Sequence, residues 1–586
     1  MRAVLGLSPY HGDAAAALVV DGQLVMAVAE ERFTRVKHWA GLPVHAMRAC
    51  LAAGGLEPAQ VDCFAIGRRP RAHLVRKAAW ALRHRPGLGL LGRRARHAAR
   101  VTDAAAALAG ALHLDPGRVG RRLAWVEHHP AHWASAFLVS PFEEAAVCAI
   151  DGFGDFTSTS WALGRGTRLQ DLGRVWFPHS LGLLYLAVTQ YLGFPAYGDE
   201  YKVMGLAAYG APELADRLRR LVRVERDGRF TLDLAYFRHA SEGVDMTWEA
   251  GEPRIGPVYT DRLVELLGPA RRPDEPITAR HQAVAASLQA VFEDAVGQVL
   301  TALHRRAPVP WLCLAGGCAM NSVMNGKIRE RTPFREVYVQ PAAGDDGTAL
   351  GAAFAAWHGR TGAPRRFVMD HAYWGPAFSA AEATAALDAR ATDLARAGCA
   401  VRAEPDALAL CRATALRLAG GQVVGWFQGR MEWGARALGN RSILADPRRP
   451  DMREVLNARV KRREPFRPFA PSVLEEALDD YFVGAAADPF MVQVYPVRPE
   501  RRAAIPAVTH VDGTGRLQTV GRAANPIFRE LIRSFEKLTG VPVLLNTSFN
   551  ESEPIVLTPA EALDCFLRTG LDALVLGQTV VARSAA

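Results

Sequence analysis

The chain opens with two apolar runs, AVLGLS and AAAALVVDGQLVMAVAEE, separated by the polar turn PYHGD. Short apolar runs bounded by turn residues predict strands. Asp21–Gly22 inside the second run predicts a hairpin, because both residues tolerate the left-handed turn that joins strands tightly. The same layout returns as AAVCAID, GFGD and FTSTSWALGRG. Two copies of strand, Gly/Asp turn and strand predict a duplicated α/β unit. An Ala-rich helix is expected over 281–304, followed by the strand WLCLAGG. LAGGCAMNSVMNGKI then reads as strand, glycine turn and helix start. Such a turn offers free backbone N–H groups to an anion or a nucleotide. The Gly/Pro/Arg stretch HGRTGAPRR at 358–366 reads as a linker. Helix-rich material is expected over 380–419, then the strand VVGWF at 423–427. The expected domains are therefore 1–362 and 363–586.

Length agrees with more than one core: 586 residues exceed what a single hydrophobic core supports. Hydrophobic residues make up 49% and charged residues 22%, an ordinary globular balance. No run of eighteen apolar residues occurs, so no membrane partner is expected. The start, MRAVLGLSPYHGD, enters a strand pattern without a signal-peptide core, which leads to a cytoplasmic expectation. The eight cysteines lack CxxC spacing, and Cys148, Cys313 and Cys565 sit in apolar runs. They read as reduced core residues.

The net charge of +10 is concentrated: eleven Lys and Arg fall between residues 68 and 100, with no acid among them. Such a stretch suits a nucleic-acid or other anionic surface. With Trp80 as its one aromatic stacker, it is read instead as a solvated amphipathic helix with one face packed on the domain, and no nucleic-acid partner is expected.

Chemistry concentrates elsewhere. In EHHPAH, His128 and His132 are four residues apart, which on a helix stacks two imidazoles on one face as a ready pair of metal ligands. The bland alternative is a polar helix end with hydrogen-bonded histidines. Asp151 ends the strand AAVCAID beside a glycine turn, where a carboxylate can face a phosphate-bound metal. Asp345–Asp346 is a second acidic pair. Three later segments gather cations, amides and hydroxyls: GRMEWGARALGNRS at 429–442, KRREPFRPFAP at 461–471 and LLNTSFN at 544–550. Together they suit a polyanion such as ATP or a small acyl phosphate. Taken singly, each could be a basic surface loop.

These segments, with YKVMGLAAYG and QPAAGDDGTALGAA, resemble in order and over nearly the whole chain the NodU/CmcH/TobZ-type O-carbamoyltransferases. The resemblance implies a duplicated actin-like, sugar-kinase-like N-terminal domain, similar to the tRNA threonylcarbamoyladenosine transferase, and an α/β YrdC-like C-terminal domain. It implies that carbamoyl phosphate and ATP, with Mg2+, give carbamoyl-adenylate in the second domain. The first domain would pass the carbamoyl group to a hydroxyl of a small-molecule acceptor, with Fe2+ or another divalent ion at its metal site. By resemblance, His128, His132, Asp151 and Asp345 are the ligands, Asp345 less securely because Asp346 adjoins it. Arg436, Lys461, Arg467, Asn546 and Ser548 match the positions that hold carbamoyl phosphate and ATP. Gly316, Gly317 and Asn321 match the nucleotide-facing turn. His11 and Lys202 lie in matching motifs near phosphate or acceptor. The acceptor hydroxyl needs a general base, for which His129 and His11 both stand as candidates. A homodimer is compatible with the reading. Two rivals remain: a kinase or ATPase-type phosphotransferase on the first domain's fold, and a tRNA-modifying protein.

Overall fold

The hairpin predicted at Asp21–Gly22 forms there: Asp21 has φ 49° and Gly22 φ 78°, both left-handed. It joins β2 (Ala15–Val20) to β3 (Gln23–Ala29), and β2 pairs antiparallel with β1 (Ala3–Ser8). Two strands then extend the other edge in parallel, β4 (Cys63–Ile66) against β1 and β5 (Leu123–Trp125) against β4. The sheet order is β3-β2-β1-β4-β5. β1 and β4 are buried along their whole length, which is why they read as unbroken apolar runs rather than alternating ones.

The second copy repeats this order. β6 (Glu144–Gly154), β7 (Thr157–Arg165) and β8 (Arg168–Trp176) form the antiparallel meander. β9 (Trp311–Ala315) pairs parallel with β6, and β10 (Glu336–Val339) with β9. The order β8-β7-β6-β9-β10 matches that of the first sheet strand for strand. The fold is thus the duplicated actin-like α/β arrangement, and the parallel strands of both sheets carry their C-terminal ends into one region.

The structure is a computed structural model that describes residues 2–84, 103–243 and 246–584. Its chain divides into two units, Met1–Met369 and Asp370–Ala586. In the first, helix α1 (Leu74–His84) follows β4, α2 (His128–Phe137) follows β5, and α3 (Ala279–Arg306) precedes β9. After β10, α4 (Gly347–Thr361) packs on β1 and α2. The basic stretch has one packed side in its described part: Trp80 meets Phe177 edge-on with centroids 4.9 Å apart, while Val75 and Leu82 are exposed. Its remainder, 85–102, lies outside the described residues.

The stretch read as a linker is tied to the first unit. Arg365 donates to the Phe142 carbonyl and Met369 N–H to the Val139 carbonyl, and the division between the two units falls after Met369. The second unit is a mixed sheet of nine strands with helices. Its strands are β11 (Cys399–Ala403), β12 (Val424–Phe427), β13 (Arg441–Ala445), β14 (Ala470–Leu474), β15 (Gln493–Pro496), β16 (Thr514–Val520), β17 (Val543–Ser548), β18 (Ala573–Leu576) and β19 (Thr579–Arg583). The order is β11-β19-β18-β12-β13-β17-β14-β16-β15. β11 interrupts the helix-rich stretch expected over 380–419. It is an exposed edge strand, CAVRA, and so carries no apolar run to announce it. All eight cysteines are free, six of them buried. No helix among the described residues is long and apolar enough to cross a membrane.

Candidate functional site

The parallel strand ends bring four buried donors together. α2 starts directly after β5 and carries His128 and His132 on one face, with 2% and 0% exposure. Asp151 sits on β6, and Asp345 lies between β10 and α4. The two Nε2 atoms are 3.1 Å apart, and His128 Nε2 is 3.2 Å from Asp151 Oδ2 and 3.5 Å from Asp345 Oδ1. His132 Nε2 is 3.6 Å from Asp345 Oδ1 and 4.0 Å from Asp151 Oδ2. Donors bound at about 2.1 Å around one ion stand about 3–4 Å apart, so the group is spaced to share a divalent cation. The chemistry of the set agrees, since two imidazoles and two carboxylates suit first-row divalent metals.

Neighbouring groups hold these donors in place. Gly154 makes room for the His128 ring, and His128 N–H donates to Asp155 Oδ2 at 2.9 Å. Gly316 turns with φ 88°, and the N–H of Gly317 donates to Asp151 Oδ1 at 2.9 Å. Asp346 sits in different surroundings from Asp345: it caps α4, its Oδ1 accepting from Gly347 N–H at 3.0 Å. Burial opposes ionisation of Asp151, and so does the Asp345 charge. The His128 hydrogen bond and the two imidazoles nevertheless hold its pKa down at about 2. Burial also disfavours imidazolium at His128, but the Asp345 charge and Asp151 raise its pKa.

His11, from the turn after β1, reaches Asp345 Oδ2 through Nδ1, and its ring stacks on that of His128 at 5.4 Å. Asp345 thus faces the imidazole pair with one oxygen and His11 with the other. His129 is placed otherwise than expected of a base. Its Nδ1 accepts from Ser160 Oγ at 2.7 Å and its Nε2 donates to the Thr157 carbonyl at 3.1 Å. Both its nitrogens are engaged, and burial and the neighbouring histidines keep its pKa well below the ordinary value. Lys202 pairs with Asp199 at 2.9 Å. Asn321 exchanges hydrogen bonds with Gln289 and caps a short helix through Met324 N–H. A second set of donors, Asp13, Glu31 and His38, lies nearby in sequence to β1 and β3. There Asp13 and His38 already neutralise each other at 2.7 Å.

The second unit gathers cations. Lys461, 2% exposed, ends a π-helical turn (Leu456–Lys461), an irregularity that recurs at functional sites. Its Nζ donates to Asn550 Oδ1 and O, both at 2.8 Å, and to Ser548. Asn546 Nδ2 donates to Ser472 Oγ and Gln518 Oε1 at 3.0 Å each, while its buried Oδ1 has no hydrogen-bond partner among the described residues. Burial holds the Arg436 pKa down at about 10. Arg516, on β16, was not picked out by any motif. Burial first, then the charges of Arg436, Arg463 and Arg467, put its pKa well below the usual arginine range, and its buried Nε has no hydrogen-bond partner among the described residues. Asp488 is the counter-charge to this group, and it already accepts from the N–H groups of Phe490, Val492 and Gln493. Four arginines whose charges meet at Arg516, with its unpartnered Nε donor, make a cluster that an anion would satisfy.

The carbamoyltransferase N-terminus model matches residues 3–354, and the carbamoyltransferase C-terminus model matches 415–583. The chain belongs to the carbamoyltransferase family. Family membership makes it a transferase. Nodulation protein NolNO of Sinorhizobium fredii is 40% identical, with 98% of this chain and 79% of that one covered. NolO of Bradyrhizobium diazoefficiens is 43% identical over 78% of each chain. The uncharacterized protein sll1178 of Synechocystis sp. is 41% identical over 100% of this chain and 97% of its own. Among solved structures, T. kodakarensis HypF aligns at TM-score 0.30 and 13% identity, covering 61% of this chain and 48% of that one; the fold above rests on strand order, not on that likeness. In this carbamoyltransferase the donor cluster lies wholly in the N-terminal match and the cation pocket wholly in the C-terminal one.

Proposed function

We propose that this carbamoyltransferase is an ATP-dependent O-carbamoyltransferase working in two stages. In the second unit, water releases phosphate from carbamoyl phosphate and leaves carbamate. A carbamate oxygen then attacks the α-phosphorus of Mg2+-bound ATP and expels pyrophosphate, giving carbamoyl-adenylate. In the first unit, the oxygen of an acceptor hydroxyl bonds to the carbamoyl carbon, and AMP leaves with the electron pair of the broken carbon–oxygen bond. Adenylation is needed because carbamate alone would have to expel oxide.

The observation that supports the reading is the cluster of cations: the charges of Arg436, Arg463 and Arg467 act on Arg516, all four half-buried, with buried Lys461 beside Ser548. Arg436, Lys461, Arg467, Asn546 and Ser548 are assigned to carbamoyl phosphate and ATP, and Arg516 is added to them. His128, His132, Asp151 and Asp345 would hold a divalent ion, Fe2+ by resemblance. When bound, that ion would supply positive charge to the departing phosphate. The Gly316–Gly317 turn orients Asp151 and is assigned to the nucleotide side. His11 is assigned as general base: Asp345 fixes its Nδ1 side, leaving Nε2 to accept the acceptor's proton. The acceptor is a natural-product or sugar-like hydroxyl.

The test is release of pyrophosphate that requires both carbamoyl phosphate and ATP, followed by transfer of labelled carbamoyl to an acceptor. A phosphotransferase would instead release ADP from ATP without need of carbamoyl phosphate, and would leave the cation pocket unused.

A further inference from the structure

β4 lies between β1 and β5 in the first sheet and runs parallel to both neighbours. Ligands of such sheets gather beyond the C-terminal ends of the strands. There β1 delivers His11 and β5 delivers His128 and His132, while β4 delivers Arg68, which the reaction above leaves without a role. The backbone on either side of Arg68 is pinned to the site. A Cβ at Gly67 would stand 2.8 Å from the Thr348 carbonyl oxygen, so only glycine lets the strand end lie against the first turn of α4, just after Asp345. On the other side, Arg69 N–H donates at 2.7 Å to Asp155 Oδ2, the same oxygen that accepts from His128 N–H.

The side chain is half-buried, and its Nη1 donates to the carbonyl of Tyr10, the residue before His11, at 3.2 Å. Burial lowers the Arg68 pKa, while Asp155 and Asp345 act to raise it. No ion pair to either carboxylate forms among the described residues. A guanidinium with donors to spare, at the rim of a candidate phosphate site, matches the planar recognition of phosphate oxygens. The other described arginines of the basic stretch differ from it: Arg69, Arg71, Arg76 and Arg83 are exposed.

We propose that Arg68 binds the phosphate of the adenylate in the first unit and stabilises it as AMP departs. This rests on the two-stage reaction proposed above. Arg68 belongs to the first unit, so in that scheme it serves transfer and not adenylation.

The test uses the full chain carrying Arg436→Ala, which weakens the second-unit site, with and without Arg68→Ala, and titrates AMP and adenosine separately. Arg68→Ala is expected to weaken AMP at least tenfold and to leave adenosine unchanged, with Arg68→Lys between. Metal content should match that of the parent chain. In the otherwise wild-type chain, Arg68→Ala should keep carbamoyl-phosphate-dependent pyrophosphate release within twofold and lower the kcat of transfer about 30- to 1000-fold. AMP binding that is absent from the Arg436→Ala chain, or unchanged by loss of Arg68, overturns the proposal. Equal weakening of AMP and adenosine, or loss of metal, overturns it in favour of a structural counter-charge to Asp155 and Asp345. If the wild-type chain releases no pyrophosphate with carbamoyl phosphate and ATP, the two-stage reading fails, and the AMP-against-adenosine comparison still judges Arg68.

Discussion

The Cβ of any residue but glycine at position 154 would fall 1.9 Å from Cδ2 of His128. The glycine of DGFGD is therefore a seat for an imidazole. Gly154→Ala should displace the His128 ring, lower bound metal to less than a tenth of wild type and abolish transfer. Gly152 is the matched control, since a Cβ there meets nothing within 4 Å. Gly152→Ala should keep its metal. Metal analysis of the two purified variants decides it, and full occupancy in Gly154→Ala would sink the assignment of His128.

His132→Ala separates the two stages. The ring is fully buried and its Nε2 stands 3.1 Å from that of His128. Truncation should remove most bound metal and lower transfer by at least 1000-fold. Pyrophosphate release with carbamoyl phosphate, ATP and Mg2+ should stay within about threefold, because that chemistry is assigned to the other unit. A parallel loss of both activities would show that the stages do not divide as proposed. Stability should also fall by on the order of 1–3 kcal/mol from the lost packing and the unpaired neighbours.

Much of this site was legible because its residues sit in local patterns. The i,i+4 pair His128 and His132 and the strand end at Asp151 each carry their own signal, and Asp21–Gly22 announces its hairpin. Arg516 was not legible: it is one basic residue in TGRLQTV, and only the pairing of β16 with β14, whose other edge pairs with β17, brings that strand into the same part of the sheet. Arg68 was hidden by its neighbours, since it opens a stretch whose other described arginines, Arg69, Arg71, Arg76 and Arg83, are exposed. The engagement of His129 could not be read either, because Ser160 and Thr157 reach it across the β6–β7 meander. The linker at 358–366 carries the composition of a free segment, but the Arg365 guanidinium, and the Met369 N–H just beyond it, donate to carbonyls of residues 139–142, a long-range pairing that composition does not record.

Arg516→Ala should impair adenylation. Its half-buried guanidinium feels the charges of Arg436, Arg463 and Arg467, an arrangement costly without an anion and suited to stabilising charge on transferring phosphates. Loss of such a contact costs about 2–4 kcal/mol of transition-state stabilisation, or roughly 30- to 1000-fold in rate. Arg436→Lys should lose most of what Arg436→Ala loses, because a point charge does not replace a planar fork. The measurement is the initial rate of carbamoyl-phosphate-dependent pyrophosphate release. Wild-type rates in Arg516→Ala would remove that residue from the pocket's chemistry and leave it as a structural cation.

His38 gives the first unit a dependence on pH that does not involve the donor cluster. Burial works against its imidazolium. The Asp13 carboxylate prevails, through its charge and a 2.7 Å contact with Nδ1, with Glu31 adding to it, and the pKa rises to about 9. The folded value lies above the unfolded one near 6.5, so the contribution to stability is complete below about pH 6.5 and is lost as pH rises through about 9. Its ceiling is about 3 kcal/mol, and the pair's 31% and 27% side-chain exposure lets solvent screening reduce it. His38→Gln should therefore be less stable than wild type by roughly 1–3 kcal/mol at pH 6, and by less than about 1 kcal/mol at pH 10. Asp13→Asn should show the same convergence, because it removes the other half of the pair. Denaturant unfolding of the three proteins at both pH values measures this. A wild-type-to-variant gap equal at pH 6 and pH 10 would mean that His38 contributes by packing and not by charge.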